Sequence, residues 1–491
     1  MFSRGTLLLR PALARLLILA SVTGFSLCLY CWPKTSKDRN NYLLIEHVTL
    51  IDSTGSPAKD DMAVLIEGQR IKSIGAANLV QQVPDAVRIE AKGKFLIAGL
   101  WDMHVHTLSK NQPDRFLPLF IANGVTGVRD MGGDLSLAQI QQLKKEIADG
   151  TRLGPEIFAP GPILEGEHPF WPFSIVVKSE ADAGRTITAL VREKADFVKV
   201  YNTLSRESWL AIAAAAKQNR IPFVGHIPPS VTPAEASDLG QKSIEHLWGI
   251  TRFCSVISEE LGRMSADADK ADDPKVARDL YYKINQAILS SYSKRKAEDL
   301  FARFASNGTW QDPTLVVLRS YASIHDPALR KDSRLAYIPD DLRKAWDSTG
   351  GAPDPRNEAI QQRLFEQDLE IVKAMHVAGV PLLAGTDTPN PYTYPGFSLH
   401  EELQLLVTAG LSSKEALETA TKRAAQFLGV AQDFGTVEEG KIANLILLDA
   451  NPLADIANTT KIRAVILRGK LFDKAKLDAL LALPASQRRM Q

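Results

Sequence analysis

The sequence has few cysteines, little net charge and no internal repeat or low-complexity tract. It contains 3 Cys in 491 residues, and 58 Lys and Arg balance 57 Asp and Glu for a net charge of +1. Cys28 and Cys31 lie near the N-terminus and Cys254 stands alone, which excludes a disulfide framework and favours a buried small residue at Cys254 over a nucleophile. Balanced charge gives no sign of a nucleic-acid surface, so we expect a small-molecule partner.

The N-terminal region, over 1–41, predicts a secretory signal or a membrane anchor with a linker. Three arginines precede an apolar stretch over 16–32, and a polar run over 34–41 follows it. Because no small-x-small cleavage site follows the stretch, we favour an uncleaved anchor. The resulting hypothesis is a periplasmic or extracytoplasmic protein, either secreted or attached to the membrane through this segment.

Both ends of the remaining chain show short apolar-polar alternations separated by turn residues, which is the pattern of antiparallel β structure. They recur over 42–97 and again over 432–475. We predict that the two ends form one small β-sandwich and that 476–491 is a tail. The expected strands cover 44–50, 63–66, 70–74, 87–91, 435–437, 443–448 and 463–467.

Between these ends, over 98–431, short strand-like runs alternate with longer helical patterns. This alternation predicts βαβ units and a parallel sheet, hence an α/β fold, and eight such runs predict a TIM (β/α)8 barrel. The strands are expected at 96–106, 124–129, 156–160, 197–201, 222–226, 242–246, 309–315 and 380–386. Helices are expected at 135–149, 180–194, 207–219, 359–378 and 399–409.

Two stretches, near 251–300 and 319–357, exceed the usual spacing between barrel strands. Both are rich in charged residues and helix formers. Insertions of this kind often lie over the mouth of a barrel, where they shape substrate access. The alternative is surface elaboration far from the site.

His104 and His106 end the first predicted barrel strand. Successive strand side chains alternate between faces, so positions i and i+2 point to the same side and can share one metal ion. A lone strand histidine is more often structural, but two at this spacing favour metal ligands.

Lys199 interrupts an apolar run over 197–201. An ammonium group facing the interior there is costly to bury unless something compensates its charge. The side chain therefore either points outward to solvent, or something compensates its charge. A lysine carbamylated by CO2 becomes an anion that can bridge two cations. The histidines and the aspartate on neighbouring strands favour the second alternative.

Three further candidates end apolar runs. His226 and His246 each close a predicted strand, about one βα unit apart. Asp387 closes the run over 382–387, and the Thr-Pro-Asn-Pro segment after it does not resemble a helix start. We therefore interpret Asp387 as a ligand rather than a helix cap.

These motifs together resemble the amidohydrolase superfamily, specifically its binuclear, carbamylated-lysine members. The resemblance is carried by segment 99–106, the Lys199 strand, His226, His246 and segment 385–387, and it covers 42–473. Within the superfamily the sequence is most similar to the imidazolonepropionase-like group, which includes bacterial prolidases acting on Xaa-Pro or Xaa-Arg dipeptides and their N-acylated relatives. Barrels of this family often dimerise, so the resemblance also implies that this chain can form a homo-oligomer.

The resemblance implies two divalent metal ions. His104, His106 and Asp387 would hold one, and His226 and His246 would hold the other. Imidazole and carboxylate ligands favour zinc, although coordination geometry decides between zinc, manganese and iron.

The implied reaction is hydrolysis of an amide C–N bond in a small substrate. Lys199, carbamylated by CO2, would bridge the ions, a metal-bridging hydroxide would attack the carbonyl, and Asp387 would act as general acid and base. Tyr201 and His168 are candidate substrate contacts, through a strand end and a βα loop respectively. The remaining histidines, expected to be structural, are His47, His325, His376 and His400.

Three functions compete. The leading hypothesis is a metal-dependent hydrolase of a dipeptide or N-acyl amino acid. The second is hydrolysis of a cyclic amide or deamination of a ring, and Lys199 argues against deamination because mononuclear deaminases of the superfamily generally lack that lysine. The third is a catalytically inactive, membrane-tethered binding protein, which the filling of all six ligand positions disfavours.

Overall fold

The computed structural model describes residues 41–81, 83–110, 112–269, 273–349 and 353–482. The predicted leader lies outside these ranges except for residue 41, as does most of the predicted tail. The leader and the extracytoplasmic location that it suggests therefore stay predictions. Within the described ranges, we find no helix whose length and hydropathy together suit a membrane span.

Strands from both ends of the described chain share one eight-stranded sheet. The strand Phe95–Ala98 joins them, because it pairs in parallel with Tyr42–Leu50 and antiparallel with Leu445–Leu448. The strand Val87–Glu90 pairs in parallel with Tyr42–Leu50, off the main path. The order along that path is Lys470–Asp473, Ile462–Leu467, Leu445–Leu448, Phe95–Ala98, Tyr42–Leu50, Lys59–Glu67 and Arg70–Ala76.

This sheet is apolar on both faces of its first strand. Leu44 packs with Leu65 in one buried cluster, while Ile45 packs with Val64 in another. Alternating side chains thus fill two cores, which explains the nearly continuous apolar character of this strand. The prediction that 435–437 is a strand was wrong, and the strand Lys470–Asp473 and the helix Lys474–Ala482 were not predicted.

The middle of the chain is α/β, as predicted, with strands in two parallel sheets. Because each strand is parallel to its neighbours, their C-terminal ends face the same way, and residues following those ends can meet. One sheet contains Leu100–Val105, Val125–Asp130 and Glu156–Phe158. The other contains Ile175–Val176, Leu164–Glu165, Val198–Val200, Phe223–Gly225, Ser243–Glu245 and Trp310–Asp312.

Three predicted strands need correction. The run 96–106 is two strands in two sheets, divided at Gly99, where a Cβ atom would lie 2.2 Å from Thr126 Oγ1. The run 309–315 ends as a strand at Asp312, because Thr314 adopts a left-handed φ of 48° and a helix follows. The run 380–386 is extended but forms only an isolated bridge, between Leu382 and Gln311, within the described residues.

The helices follow the predicted pattern closely, with ends set by capping residues. Ser136, for example, accepts a hydrogen bond from the Gln139 amide, so the helix predicted at 135–149 begins at Leu137. The described helices are Gln112–Ala122, Leu137–Asp149, Glu180–Arg192, Arg206–Asn219, Pro233–Asp238, Ile250–Phe253, Ser258–Asp269, Pro274–Ser291, Lys294–Asn307, Leu315–Ala322, Asp340–Ser348, Pro355–Val377, Phe397–Thr408, Ser413–Thr419, Lys422–Leu428 and Lys474–Ala482, with short 3-10 turns at Leu329–Lys331, Ser333–Tyr337 and Ile456–Thr460.

Candidate metal centre

Three of the predicted histidines surround the carboxylate of Asp387. Asp387 Oδ1 lies 3.4 Å from His104 Nε2 and 3.3 Å from His106 Nε2, and Asp387 Oδ2 lies 3.8 Å from His246 Nε2. The imidazole rings of His104 and His246 approach to 4.4 Å between centroids. Residues separated by almost three hundred positions therefore meet at the C-terminal ends of parallel strands.

Each of these three imidazoles is fixed through its Nδ1 atom. The partners are Glu245 Oε2 at 3.1 Å for His104, the Gly132 carbonyl oxygen at 2.8 Å for His106, and Thr314 Oγ1 at 2.7 Å for His246. The first two partners can only accept, and Thr314 donates its own hydroxyl to the Pro313 carbonyl. Each Nδ1 therefore carries a proton, so that in the neutral ring the Nε2 lone pair faces Asp387, as metal-binding histidines require.

Burial keeps two of these rings neutral. It lowers the pKa of His104 well below its usual range, and it lowers the pKa of His246 to about 4 although Asp387 opposes that shift. His106 differs: burial lowers its pKa, but the hydrogen bond and charge of Asp387 outweigh burial, and the net pKa is raised. A neutral imidazole is the form that binds a metal ion.

His226, directly after the strand Phe223–Gly225, is the fourth histidine of the group. Its ring meets the His246 ring edge-on at 5.0 Å and stacks with Tyr201 at 4.3 Å. Its Nδ1 atom is buried without a hydrogen-bond partner in the described part of the chain, and burial lowers its pKa well below the usual value. A buried, neutral nitrogen with an unused lone pair is a ready ligand atom.

Lys199 points into this cluster and not outward to solvent. Its side chain is 1% exposed, and its charge lowers the pKa of both His104 and His226. Among the described residues its Nζ atom has no hydrogen-bond partner. Burial lowers the pKa of Lys199 to about 8, although Glu245 and Asp387 act in the opposite direction. The outward-facing alternative is thereby excluded.

A buried ionic network underlies the cluster, and sequence reasoning missed it. The Arg129 guanidinium donates to Glu245 Oε2 at 2.7 Å, to Asp312 Oδ2 at 2.9 Å and to Ser243 Oγ at 2.9 Å. Glu245 in turn binds His104. A charged residue inside an apolar strand was the available signal, the same one that drew attention to Lys199.

Asp102 fixes the segment that carries Asp387. Its two carboxylate oxygens accept the Thr386 amide at 3.0 Å and the Thr386 hydroxyl at 2.7 Å. The Asp387 amide donates to the His104 carbonyl oxygen at 2.7 Å, with Asp387 at a φ of 58°. The strained backbone turn places the Asp387 carboxylate among the histidines.

The other predicted residues fall in different surroundings. Tyr201 lies beside His226, and burial raises its pKa to about 12. His168 is exposed on the loop after Leu164–Glu165. His400 is buried and binds Thr459, consistent with a structural role, and Cys254 is buried with its pKa raised to about 12 by that burial.

The donor set fits divalent metal ions. The buried atoms without a hydrogen-bond partner among described residues include His104 Nε2, His226 Nδ1 and Asp387 Oδ1. Ligand atoms of His104, His246 and Asp387 lie within 4.8 Å of one another. A second group, His104 with Glu245 and Asp312, meets the same distance criterion, but those carboxylates already bind Arg129. The group containing Asp387 is the better fit.

The second insertion packs against the loop that follows Asp387. The Tyr321 hydroxyl donates to Asn390 Oδ1 at 3.1 Å, and Trp346 Nε1 donates to the Pro389 carbonyl oxygen at 3.2 Å. The insertion at 319–357 is thus close to the cluster, and its role in substrate access stays a prediction. The insertion near 251–300 forms helices with their own small core around Leu261.

One sizeable cavity lies away from the cluster. It measures about 870 Å³, and its walls come from the Leu137–Asp149 helix, the turn after it and the Lys470–Asp473 strand. Because the cavity is at the contact between the helix and the sheet of the chain ends, it lies apart from the histidine cluster. We attach the chemistry to the cluster, where the unpaired buried atoms converge.

Comparisons with known proteins agree with the sequence resemblance. Residues 322–472 match the model of the amidohydrolase family. An imidazolonepropionase of Pseudomonas savastanoi pv. phaseolicola is 37% identical over 95 residues, which are 19% of this chain and 23% of that protein. The chain spans only 17% to 23% of the length of the imidazolonepropionases that it matches. Ochratoxinase of Aspergillus niger is 23% identical over 89% of this chain and 88% of that protein.

Solved structures resemble the chain over most of its length. A bottromycin amidohydrolase has a TM-score of 0.70 at 20% identity, covering 91% of this chain and 91% of its own. A Xaa-Pro dipeptidase with methionine bound in its active site has a TM-score of 0.62 at 18% identity, covering 88% of this chain and 100% of its own. At these identities the structural likeness shows the fold. Together the comparisons support membership of the amidohydrolase superfamily.

Proposed function

We propose that this chain is a member of the amidohydrolase superfamily and a metal-dependent hydrolase of an amide bond in a small substrate. A dipeptide or an N-acyl amino acid is the proposed substrate class. The observation that carries the proposal is the convergence of His104, His106, His226, His246, Lys199 and Asp387, with buried ligand atoms left unpaired in the described structure. The names of the prolidase-like and amidohydrolase neighbours support the same class of reaction.

We also propose that the parallel segments close into an eight-stranded barrel with an additional sheet domain. Backbone hydrogen bonds join the segment 380–386 to a neighbouring strand on each side, which supports closure of the barrel. The Met103 amide donates to the Ala384 carbonyl oxygen at 2.9 Å, and the Leu383 amide donates to the Gln311 carbonyl oxygen at 2.9 Å. The two parallel sheets are linked by a bond from the Asp196 amide to the Ala159 carbonyl oxygen at 3.0 Å.

In this proposal the chain holds two divalent cations, with zinc favoured by the ligand types. His104, His106 and Asp387 would hold one, and His226 and His246 the other. Lys199 would bridge them as a carbamate, formed when its neutral amine adds to CO2 and releases a proton. Its complete burial without a hydrogen-bond partner in the described residues supports this modification, because burial lowers the Lys199 pKa and so favours the neutral amine despite the nearby carboxylates.

When bound, such cations polarise a carbonyl group and lower the pKa of a water molecule. The remaining work belongs to residues of the chain. Asp387, within 3.8 Å of three imidazoles, would take the proton of the attacking water and deliver it to the leaving nitrogen. Tyr201, beside His226, would donate a hydrogen bond to the reacting carbonyl, and the exposed loop of His168 would contact the substrate.

The test is replacement of Lys199. We expect about two metal ions per wild-type chain, and we expect Lys199→Ala to lower hydrolysis by about 10³-fold, roughly the several kcal/mol supplied by metal-ion catalysis. Short carboxylic acids should restore part of the activity by replacing the carbamate. Mass spectrometry measures the metal content. Assays with dipeptide and N-acyl amino acid libraries measure the rate of hydrolysis. An active preparation with one metal ion or none would contradict the proposal.

Hydrolysis of a cyclic amide or ring deamination is the competing reaction. A 5'-deoxyadenosine deaminase of Methanobrevibacter smithii matches the chain at 44% identity, but over 11% of this chain and 12% of that protein. Including cyclic amides and aminopurines in the same library separates the reactions. Turnover confined to them would replace the leading proposal, and metal-independent binding without turnover would indicate the inactive alternative.

A further inference from the structure

Asp387 has a backbone conformation that its neighbours must maintain. Its φ of 58° lies in the left-handed region, which is costly for a residue with a side chain and persists where surrounding contacts hold it. On the N-terminal side, the Asp387 amide donates to the His104 carbonyl oxygen at 2.7 Å. The carbonyl side of Asp387 needs matching support, because the two flanking peptide units together set the direction of the carboxylate.

Asn390 supplies this support. The Asp387 carbonyl oxygen accepts two hydrogen bonds from it, one from the Asn390 backbone amide at 3.1 Å and one from Asn390 Nδ2 at 2.7 Å. A carbonyl oxygen can only accept, so the nitrogen of the Asn390 side-chain amide must face Asp387. The oxygen of the same amide therefore faces away from Asp387 and is open to a donor.

Tyr321, in the second insertion, provides that donor. Its hydroxyl oxygen lies 3.1 Å from Asn390 Oδ1, and since the amide oxygen can only accept, the hydroxyl donates. The side-chain hydrogen bonds thus run in one direction, from Tyr321 to Asn390 and from Asn390 to Asp387. Loss of either polar side chain breaks this chain at a defined bond.

The helix that carries Tyr321 also reaches a second candidate ligand. Thr314 directly precedes the helix Leu315–Ala322 and contacts His246 Nδ1 at 2.7 Å, while Tyr321 is the next-to-last residue of the helix. The helix has 8 residues, which corresponds to a length of about 12 Å. One short helix is therefore linked at its two ends to His246 and, through Asn390, to Asp387.

We propose that Tyr321 and Asn390 are positioning residues that hold the Asp387 carboxylate towards the imidazoles of the candidate metal centre. The helix Leu315–Ala322 then couples the second insertion to that centre. This inference rests on the proposed function, because it requires Asp387 to act as metal ligand and proton carrier. Bonds with only a structural role would contribute to the stability of the fold but leave the rate at saturating substrate unchanged.

Hydrogen exchange of the metal-free protein tests the chain of bonds independently of activity. Tyr321→Phe removes only the hydroxyl group, and Asn390→Leu keeps the side-chain shape while removing both polar atoms. Each should speed exchange of the backbone amides at 385–391, measured by mass spectrometry, by about 5- to 10-fold, the effect of losing about one hydrogen bond.

Tyr392→Phe is the matched control for this exchange experiment. Tyr392 lies in the same loop, and its buried hydroxyl has no hydrogen-bond partner in the part of the chain that the structure describes. The substitution therefore removes the same group without breaking a described bond. Unchanged exchange in Tyr321→Phe, or equal acceleration in Tyr392→Phe, would overturn the proposal.

Kinetics at saturating zinc test the consequence for the reaction, with the dipeptide or N-acyl amino acid that the wild type hydrolyses fastest. Tyr321→Phe and Asn390→Leu should each lower kcat by about 10-fold and change KM by less than about 2-fold, because a displaced Asp387 slows proton transfer without weakening substrate binding. The double variant should also lose about 10-fold, since both substitutions break one chain.

Three outcomes separate this proposal from its alternatives and from the proposed function. A loss of about 100-fold in the double variant would mean independent roles and overturn the chain. An unchanged kcat with a raised KM in Tyr321→Phe would make Tyr321 a substrate contact and overturn its positioning role. Faster exchange in both single variants of a protein that hydrolyses none of these substrates would retain the positioning of Asp387 and refute the proposed function.

Discussion

Two fully buried cations, Arg129 and Lys199, lie close together but in opposite situations. The Arg129 guanidinium binds Glu245, Asp312 and Ser243 within 2.9 Å. Lys199 Nζ makes no hydrogen bond to any described residue. The difference separates structural from chemical roles: a satisfied buried charge holds strands together, whereas an unsatisfied one needs a further group to complete it.

The largest loss of stability is expected when Arg129, the hydrogen-bonded cation, is replaced. Arg129→Met should lower the free energy of unfolding of the metal-free protein by about 3–5 kcal/mol, because two buried carboxylates lose their partner. Urea denaturation measures it. Arg463→Met is the control, since Arg463 pairs with Asp449 at the surface and its loss should cost about 0–1 kcal/mol. Equal effects of both substitutions would refute the distinction.

Replacing Lys199 with methionine should change the free energy of unfolding in the opposite direction. In metal-free, CO2-free buffer, Lys199→Met should raise the free energy of unfolding by about 1–4 kcal/mol, because it removes a buried amine without losing a hydrogen bond. Denaturation alongside Arg129→Met tests the comparison directly. A destabilisation similar to that of Arg129→Met would mean that the nearby carboxylates of Glu245 and Asp387 compensate the Lys199 charge without a carbamate.

A smaller effect concerns the residues that orient the imidazoles. Thr314→Val removes the acceptor of His246 Nδ1 while keeping the side-chain shape, and should weaken metal affinity by about 10- to 100-fold. Competition with a chelator measures that affinity. Thr459→Val is a close control, because Thr459 makes the same contact with the buried His400 outside the cluster. Equal weakening in both variants would indicate general destabilisation.

The last prediction extends the comparison to a buried anion, whose effect on stability depends on pH. Burial raises the pKa of Glu402 to about 8, above the usual value for a glutamate, although the Val316 amide opposes this, and Glu402 Oε1 is unpaired among described residues. The folded state therefore keeps a proton that the unfolded state releases. Wild-type stability relative to Glu402→Gln should be fully present at about pH 4 and fall by about 1.4 kcal/mol per pH unit until about pH 8. A flat difference between the two profiles would contradict this pKa.

The candidate ligands could be predicted from the sequence better than the buried ionic network around Arg129 that lies beneath them. His104 and His106 stand out because strand periodicity places them on one face. His226, His246 and Asp387 stand out because each follows an apolar segment, and Lys199 because it interrupts one. Arg129 was missed although it too interrupts an apolar strand, and its partners Glu245 and Asp312 come from strands more than one hundred positions away. Spacing along one strand says nothing about such partners.

Strand boundaries were the least predictable part of the fold. The run 96–106 begins as a continuous apolar stretch, and periodicity does not show that at Gly99 it leaves one sheet and enters another. Only the close approach of Thr126 to Gly99, a long-range contact, marks that division.

The pairing of Phe95–Ala98 with Leu445–Leu448 has a consequence for biosynthesis. Leu96 and Leu447 are register partners, so the N-terminal strands leave the ribosome long before their neighbour in the sheet has been translated. Until then an apolar edge has no native partner, which makes the nascent chain prone to aggregation. We expect the yield of soluble protein to depend on chaperones more strongly than for a domain whose strands pair in order of synthesis.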